Sequence, residues 1–400
     1  MNKSIHFTGQ PTFVQLLHLL PLSIISQSAV ACQSDRYYKT FSTYGHLVTM
    51  LFACFGHCAS LREVVTGMRA LEGRLRSAGI RNLPARSTFS EANRNRNSKV
   101  FERIYFAAKA YFDRFYPDSR GKKREAFVID STVISLFQEI FKGTGTAYSD
   151  GRRKGGLKVH MAVPVHEQHP SIVRISDGSA NDTTFSKGLE FPPNSTVIMD
   201  RGYRDYQQYN RWTKEKVRWI TRPRENLYYE LIEERAVSKQ QKERGIEKDL
   251  HIKIGYPQPK TPPVFARLIH YTDKKTNKKL QFITNDLSCS PVTVAQLYQK
   301  RWSIEVLFKR LKQNMPLHYF LGDNRNAIEI QIWCALIADL LLQVVRRHVK
   351  RNWAFSNIVG LVRLHLFNYL NLFSFLENPE RCTIQCANPT NSQLRLKLFG

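Results

Sequence analysis

Four hundred residues, 42% of them apolar, are more than one hydrophobic core usually organises and enough for two or three folded units. Sixty Lys and Arg against 33 Asp and Glu leave a formal charge of +27, which argues for a polyanionic partner, nucleic acid first. An acidic membrane surface fits less well, because the basic residues are spread along the chain and not gathered in one amphipathic segment. Seven cysteines, an odd and scattered set, make no disulfide framework, and Cys54-x3-Cys58 and Cys382-x3-Cys386 are half zinc sites without a second half. The apolar run Phe13 to Ile25 contains Gln15, His18 and Pro21 and does not read as a secretory signal. The run Ile332 to Val345 includes Asp339 and is short of the ~20 residues of a membrane span. A cytoplasmic, nucleoid-associated protein is the expectation.

Residues 1–118 read as all-helical and as a DNA-binding domain. Tyr44–Phe55 is one apolar-periodic segment. Ser60–Ala78 is a second, with Ser60-x-x-Glu63 as a capping box and Gly79 as its stop. A third opens after Pro84, where Ser87 and Thr88 compete as start signals, and Val100–Phe115 is a fourth. A turn followed by a helix rich in Arg, Asn and Ser is compatible with a helix-turn-helix reader, with Arg86, Arg94 and Arg96 as its contacts to DNA. It is equally compatible with a small packing domain that carries a solvated basic face.

After a basic linker at 117–124 the pattern changes to α/β. Ala126–Phe137 is a β-rich run with Asp130, Ser131 and Thr132 in its middle. Leu157–Val165, Ser171–Ser176, Ser195–Asp200 and Val217–Thr221 are further strands, with helices at Asn181–Leu189 and Tyr206–Lys216. Prolines and a charged stretch break the rhythm over 222–288, where Val264–Thr272 and Lys279–Thr284 form a hairpin with a basic tip. This reads as a β-rich insertion in a core made of 119–221 and 289–350, with a C-terminal helical segment and tail at 351–400.

Beyond the insertion, a helix opening at Pro291 carries Leu297, Ile304, Leu307, Phe308 and Leu311 on one arc. At about 100° per residue, Tyr298, Arg301, Glu305 and Lys312 fall within roughly 60° beside that arc. A phenol, a guanidinium, a carboxylate and an ammonium then share one stripe; a solvated charged face is the plainer reading. Two upstream acids give the stripe its meaning. Asp130 interrupts an apolar strand and Asp200 ends another, and carboxylates there are costly unless something pairs with them. Capping or a salt bridge to Arg201 or Lys158 explains either one alone. Together with Glu305 they offer hard oxygen ligands for two Mg²⁺ ions, the arrangement used for phosphoryl transfer.

The motifs Phe-Val-Ile-Asp130-Ser-Thr, Gly156-x-Lys158-x-His160, Val-Ile-Met-Asp200-Arg-Gly-Tyr and Tyr298-x2-Arg301-x3-Glu305-x6-Lys312 resemble those of bacterial DDE transposases, the insertion-sequence-four family in particular. The resemblance covers about 125–345, and the helical segment at 10–115 is similar to the amino-terminal domain of one branch of that family. It implies a ribonuclease-H-like mixed-sheet core and cut-and-paste transposition of double-stranded DNA. It also implies Mg²⁺, with Mn²⁺ as a substitute, and a homodimer in the synaptic complex. Asp130, Asp200 and Glu305 carry over as metal ligands, and Tyr298, Arg301 and Lys312 as contacts to end phosphates. Lys158 is expected to touch phosphate or balance Asp130, and Arg152 and Arg153 to follow the DNA backbone, a solvated turn being the alternative. Relatives hold a flipped base on an aromatic residue of the insertion; with no Trp in 222–288, Tyr228, Tyr229, Tyr256, Phe265 or Tyr271 could serve. Asp182 is expected to cap its helix, His160 to be structural and Trp302 to be a packing residue.

Overall fold

A computed structural model describes residues 9–115, 125–135, 145–147, 153–255 and 262–382. The chain divides into two compact units, one of Met1–Ala92, Lys99–Ala108 and Cys334–Gly400, the other of Asn93–Ser98 and Lys109–Trp333.

The first unit is helical. It holds α1 (Thr12–His18), α2 (Leu22–Ala31), α3 (Thr43–Gly56), α4 (Leu61–Ala70), most of α5 (Arg86–Asn95) and the start of α6 (Lys99–Asp113). The Ser60 hydroxyl accepts from the Glu63 amide at 3.2 Å, while the Glu63 carboxylate takes the Ala59 amide at 2.8 Å, so the capping box is displaced by one residue. The expected helix Ser60–Ala78 is two pieces. Gly73, at φ +82°, turns the chain, and a 3₁₀ turn Arg74–Ala78 follows. Ser87 and Thr88 lie inside α5 and start nothing. Arg86 and Arg94 are exposed, but Arg96 is only 1% exposed, which removes it from the expected DNA face.

The division 1–118 and 351–400 differs from the observed units. The C-terminal helices α13 (Phe355–Leu364) and α14 (Leu372–Glu377) belong with the N-terminal ones. The Thr12 amide donates to the Asn368 carbonyl at 2.9 Å and the Gln15 amide group to the Leu370 carbonyl at 2.6 Å. α12 (Arg325–His348) is also longer than its apolar run. At 24 residues it is long and apolar enough to cross a membrane, yet 94% of its apolar window is buried inside the protein. Gln331, Asp339 and Gln343 are buried along it, and the Gln331 amide donates to the Pro316 and Tyr319 carbonyls.

The second unit is built on a ten-stranded sheet. β1 (Ala126–Ser135) pairs antiparallel with β3 (Arg153–Pro164) and parallel with β5 (Thr196–Met199), which pairs parallel with β6 (Arg218–Thr221). β2 (Gly145–Ala147) and β4 (Ile172–Asp177) both pair with β3. α7 (Asp182–Ser186) and α8 (Tyr206–Lys214) lie between the strands in sequence. Two antiparallel steps followed by parallel strands make the ribonuclease-H-like mixed sheet. All four residues of β5 are buried, as parallel strands covered on both faces require.

The insertion extends this sheet. It contributes β7 (Tyr229–Glu234), a short α9 (Lys239–Glu243), β8 (Ile246–Ile254), β9 (Val264–Asp273) and β10 (Lys278–Thr284). β10 joins β6 through the pairs Ile283↔Thr221 and Thr284↔Ile220. Leu250, Ile252, Val264 and Ala266 of the insertion share one apolar cluster with Val197, Met199, Trp212 and Trp219 of the core. On the other face of the same strands the Arg267 guanidinium grips both oxygens of Asp249, its Nε at 2.6 Å from Oδ1, with side chains 3% and 5% exposed. Arg267 also donates to the carbonyls of Asp286 and Cys289, so the fork is fully engaged.

Removing one partner of such a buried pair leaves an uncompensated charge, so Asp249→Ala is expected to cost about 3–5 kcal/mol in urea unfolding. Asp249→Leu combined with Arg267→Met is expected to recover most of that loss. Equal destabilisation by the single and the double variant would show that the pair's charges do not govern the effect.

Candidate active site

Strand register brings the first two acids together. The parallel pairing of β1 and β5 ends at Ile129↔Met199, so Asp130 and Asp200 follow abreast as the next residues of adjacent strands. Asp200 is where β5 stops and a 3₁₀ turn Arg201–Tyr203 begins. The third acid comes from the helical segment after the insertion. That segment is not one helix: α10 (Pro291–Gln299) and α11 (Trp302–Asn314) are separate. Pro291 starts α10 as expected. Across the break the Lys300, Arg301, Ser303 and Ile304 amides each bond to the carbonyl three residues back, a 3₁₀ tightening in place of α-helical bonds. The stripe computed for a straight helix therefore holds within α11 only, and Arg301 sits at the joint.

α11 packs on β1 and turns Glu305 towards the two aspartates. Asp130, Asp200, Glu305, Arg301, Lys309 and Lys312 all line one open cleft of about 540 Å³. The Arg301 guanidinium stands between two of the acids, with Nη1 3.3 Å from Asp130 Oδ2 and Nη2 bonded to Glu305 Oε1. Asp130 Oδ1 accepts from the Ser131 amide at 2.8 Å. Burial pushes the Asp130 carboxyl up to about 6. The negative charges of Asp200 and Glu305 push the same way, against the Ser131 amide and Arg301. Burial also draws the Lys312 ammonium below its ordinary value.

The donor set suits a hard divalent cation: three carboxylates in one cleft, with a guanidinium standing as a cation between two of them. Among the described residues, no three His, Cys, Asp or Glu side chains already form an ion cage. The Arg301 guanidinium bridges Asp130 and Glu305, two of the three side chains that could hold such an ion.

The remaining candidates divide. The Tyr298 ring is buried against Phe282, centroids 4.9 Å apart, and burial pushes its phenol up to about 12. The Arg301 guanidinium lies 5.9 Å from the same ring. Lys158 is engaged elsewhere: its ammonium is 2.9 Å from Asp182 Oδ1 and donates to the Ala180 carbonyl at 3.1 Å, with the side chain 15% exposed. It balances Asp182, not Asp130, and is not open to phosphate. Asp182 does not cap α7; Asn181 does, and Asp182 instead accepts from the Ser131 hydroxyl at 2.8 Å. His160 is structural, with Nε2 2.9 Å from the Ser176 hydroxyl and its ring stacked on Phe185 at 4.8 Å. Arg152 and the Arg153 side chain lie outside the described residues, as does Tyr256. Trp302 is no packing residue, being 64% exposed on α11. Of the insertion aromatics, Tyr228 is half exposed and lines a cavity of about 610 Å³ with Arg204, Tyr206 and Asn226.

A family model described as transposase DDE domain matches residues 121–341, and a domain of unknown function, DUF4372, matches residues 8–81. A protein of Sinorhizobium fredii named as transposase y4zB is 28% identical over 267 residues, covering 66% of this chain and 72% of its own. A protein of Synechocystis named as the transposase of insertion sequence element IS4SA is 27% identical, covering 71% and 78%. A solved piggyBac transposase synaptic complex with hairpin DNA aligns at a TM-score of 0.40 and 12% identity, covering 94% of this chain and 82% of that one.

A carboxyl whose folded value lies above its unfolded one binds protons more readily in the fold, so it costs stability as pH rises from about 4 through about 6. Asp130→Asn removes that cost. The variant is expected to melt a few degrees higher than the parent at pH 7 in chelator, with the gain fading towards pH 4. A lower melting temperature at pH 7 would show that the Arg301 pairing outweighs the crowding.

Proposed function

The chain belongs to the DDE transposase family, and from that premise we propose that Asp130, Asp200 and Glu305 hold the divalent metal with which it cuts and joins DNA. The observation that carries this reading is the convergence of the three acids, from two strand ends and a separate helix, on one cleft that also holds Arg301, Lys309 and Lys312. Two Mg²⁺ ions there, replaceable by Mn²⁺, would activate an attacking oxygen and stabilise the leaving one in phosphoryl transfer.

The chain's own residues supply the rest. Asp130 presents Oδ2 to the cleft because Oδ1 is tied to the Ser131 amide. With metal held by the acids, Arg301, at the joint between α10 and α11, would be free to bond a DNA phosphate. Lys312 and Lys309 approach the same strand as point charges. Arg301 stays protonated although burial opposes it, because Tyr298, Glu305 and Asp130 surround it with compensating groups. Exposed Arg86 and Arg94 on α5 serve DNA binding. Of the insertion aromatics, Tyr228 would receive an unstacked base; its exposure and its place in a cavity of about 610 Å³ with Arg204 and Asn226 support that reading. Two chains act together, one at each DNA end.

Purified protein incubated with a pre-cleaved transposon end and a target plasmid separates a transposase from a nuclease on the same fold: joined product is expected, and cleavage without joining would overturn the reading. Asp130→Asn, Asp200→Asn and Glu305→Gln are each expected to lower cleavage and joining by at least ~10³-fold in Mg²⁺. Arg301→Ala and Lys312→Ala are expected to weaken end binding and to reduce the slope of log affinity against log salt by about one each. Unchanged affinity and slope would remove both residues from the phosphate contacts.

A further inference from the structure

Behind the cleft lies a second polar cluster that no part of the reading above uses. Alternation along the paired strands β1 and β3 sends the side chains of Ser131, Lys158 and His160 to one face, since Ser131 registers with His160 and Val133 with Lys158. Asp182, the first residue of α7, meets them there. Its Oδ1 accepts from the Ser131 hydroxyl at 2.8 Å, lies 2.9 Å from the Lys158 ammonium and stands 3.7 Å from His160 Nδ1. Its other oxygen faces Gly202, where an added Cβ would lie 3.4 Å away. Asp182 therefore touches the residue after Asp130 and the second residue after Asp200. One carboxylate backs both strand ends.

We infer that Asp182 is a positioning residue for the metal site, acting through Ser131 on Asp130 and through Lys158 on the local charge. This rests on the assignment of Asp130 as a metal ligand. Ser131 is held at two points. Its hydroxyl is fixed to Asp182, and its amide holds Asp130 Oδ1, which leaves Oδ2 as the oxygen directed into the cleft. Without Asp182 the Ser131 hydroxyl loses its acceptor, and the peptide that orients Asp130 loses its anchor. The Lys158 ammonium also loses its counter-charge. An unpaired ammonium on the strand next to Asp130 repels a divalent cation. Groups that orient metal ligands from behind commonly contribute about 10–100-fold in metal affinity.

The test is Mn²⁺ binding to the metal-free protein, followed by the EPR signal of the free ion, together with the Mg²⁺ concentration for half-maximal end cleavage. Asp182→Ala and Ser131→Ala are each expected to weaken Mn²⁺ binding about tenfold or more and to raise the Mg²⁺ requirement by a similar factor. Affinity for end DNA in chelator is expected to hold. Ser131→Thr, which keeps the hydroxyl, is expected to restore parental Mn²⁺ binding, a rescue that a merely structural role would not require. If Asp182→Ala fails to fold, Lys158→Met combined with Asp182→Leu removes both charges and gives the same readout. Folded variants with parental Mn²⁺ affinity would overturn the inference, as would a loss confined to DNA affinity. Asp130→Asn is the control. If it too keeps parental Mn²⁺ binding, the metal-ligand reading itself fails; if it alone loses binding, only the role of Asp182 fails.

Discussion

Three carboxylates are drawn into one partly buried cleft, and like charges in such a place repel. That repulsion is the constraint around which the second unit is arranged. It is visible in Asp130, whose carboxyl is held near 6 by burial and by its acidic neighbours. A fold tolerates this only if something positive is supplied. Here the supply is the Arg301 guanidinium, which bonds to Asp130 and Glu305 from the joint between two helices. Divalent cations carry twice the charge and suit oxygen ligands better, so the same electrostatic tension that raises the Asp130 carboxyl favours metal over arginine. On the proposed reading, catalytic capacity and local instability would be two aspects of one charge arrangement.

The elements that hold the acids are rigid for reasons that the sequence states openly. The runs that lead into Asp130 and Asp200, Phe127–Ile129 and Val197–Met199, are continuously apolar and buried, which is the pattern of strands covered on both faces. Their parallel pairing sets the two aspartates abreast with no contribution from loops. Ser131 and Gly202, the near neighbours of these acids, meet a common support in Asp182. The positions of the acids thus follow from hydrogen-bond register and from one carboxylate behind them.

Much of this was legible beforehand, and the parts that were not have identifiable causes. Strands could be read because an acid in an apolar run is rare and because turn residues bound each run. The helical N-terminal region and the hairpin Val264–Asp273 with Lys278–Thr284 were likewise plain. The break at Lys300 and Arg301 was not, because both residues have good helix propensity and no Gly or Pro marks the joint. Gly73 broke the second helix where an isolated Gly inside a periodic pattern had been absorbed into it. Asp182 stood at a helix start, where capping is the local habit of aspartate, and only tertiary structure could set it against Lys158. Arg96 had the composition of a surface residue and was buried; Trp302 had that of a core residue and was exposed. Local periodicity encodes neither outcome.

The insertion is continuous with the catalytic sheet through β10 and β6, and its apolar side is sealed onto Trp212 and Trp219. It is therefore no swinging lid. Tyr228 directly precedes β7, the outermost strand of that extension, and lines a cavity with Arg204 and Asn226. On the proposed reading, a duplex that gives a phosphate to the acids and a base to Tyr228 would unstack at its terminus to reach both, and the deformability of that terminus would become part of how an end is recognised.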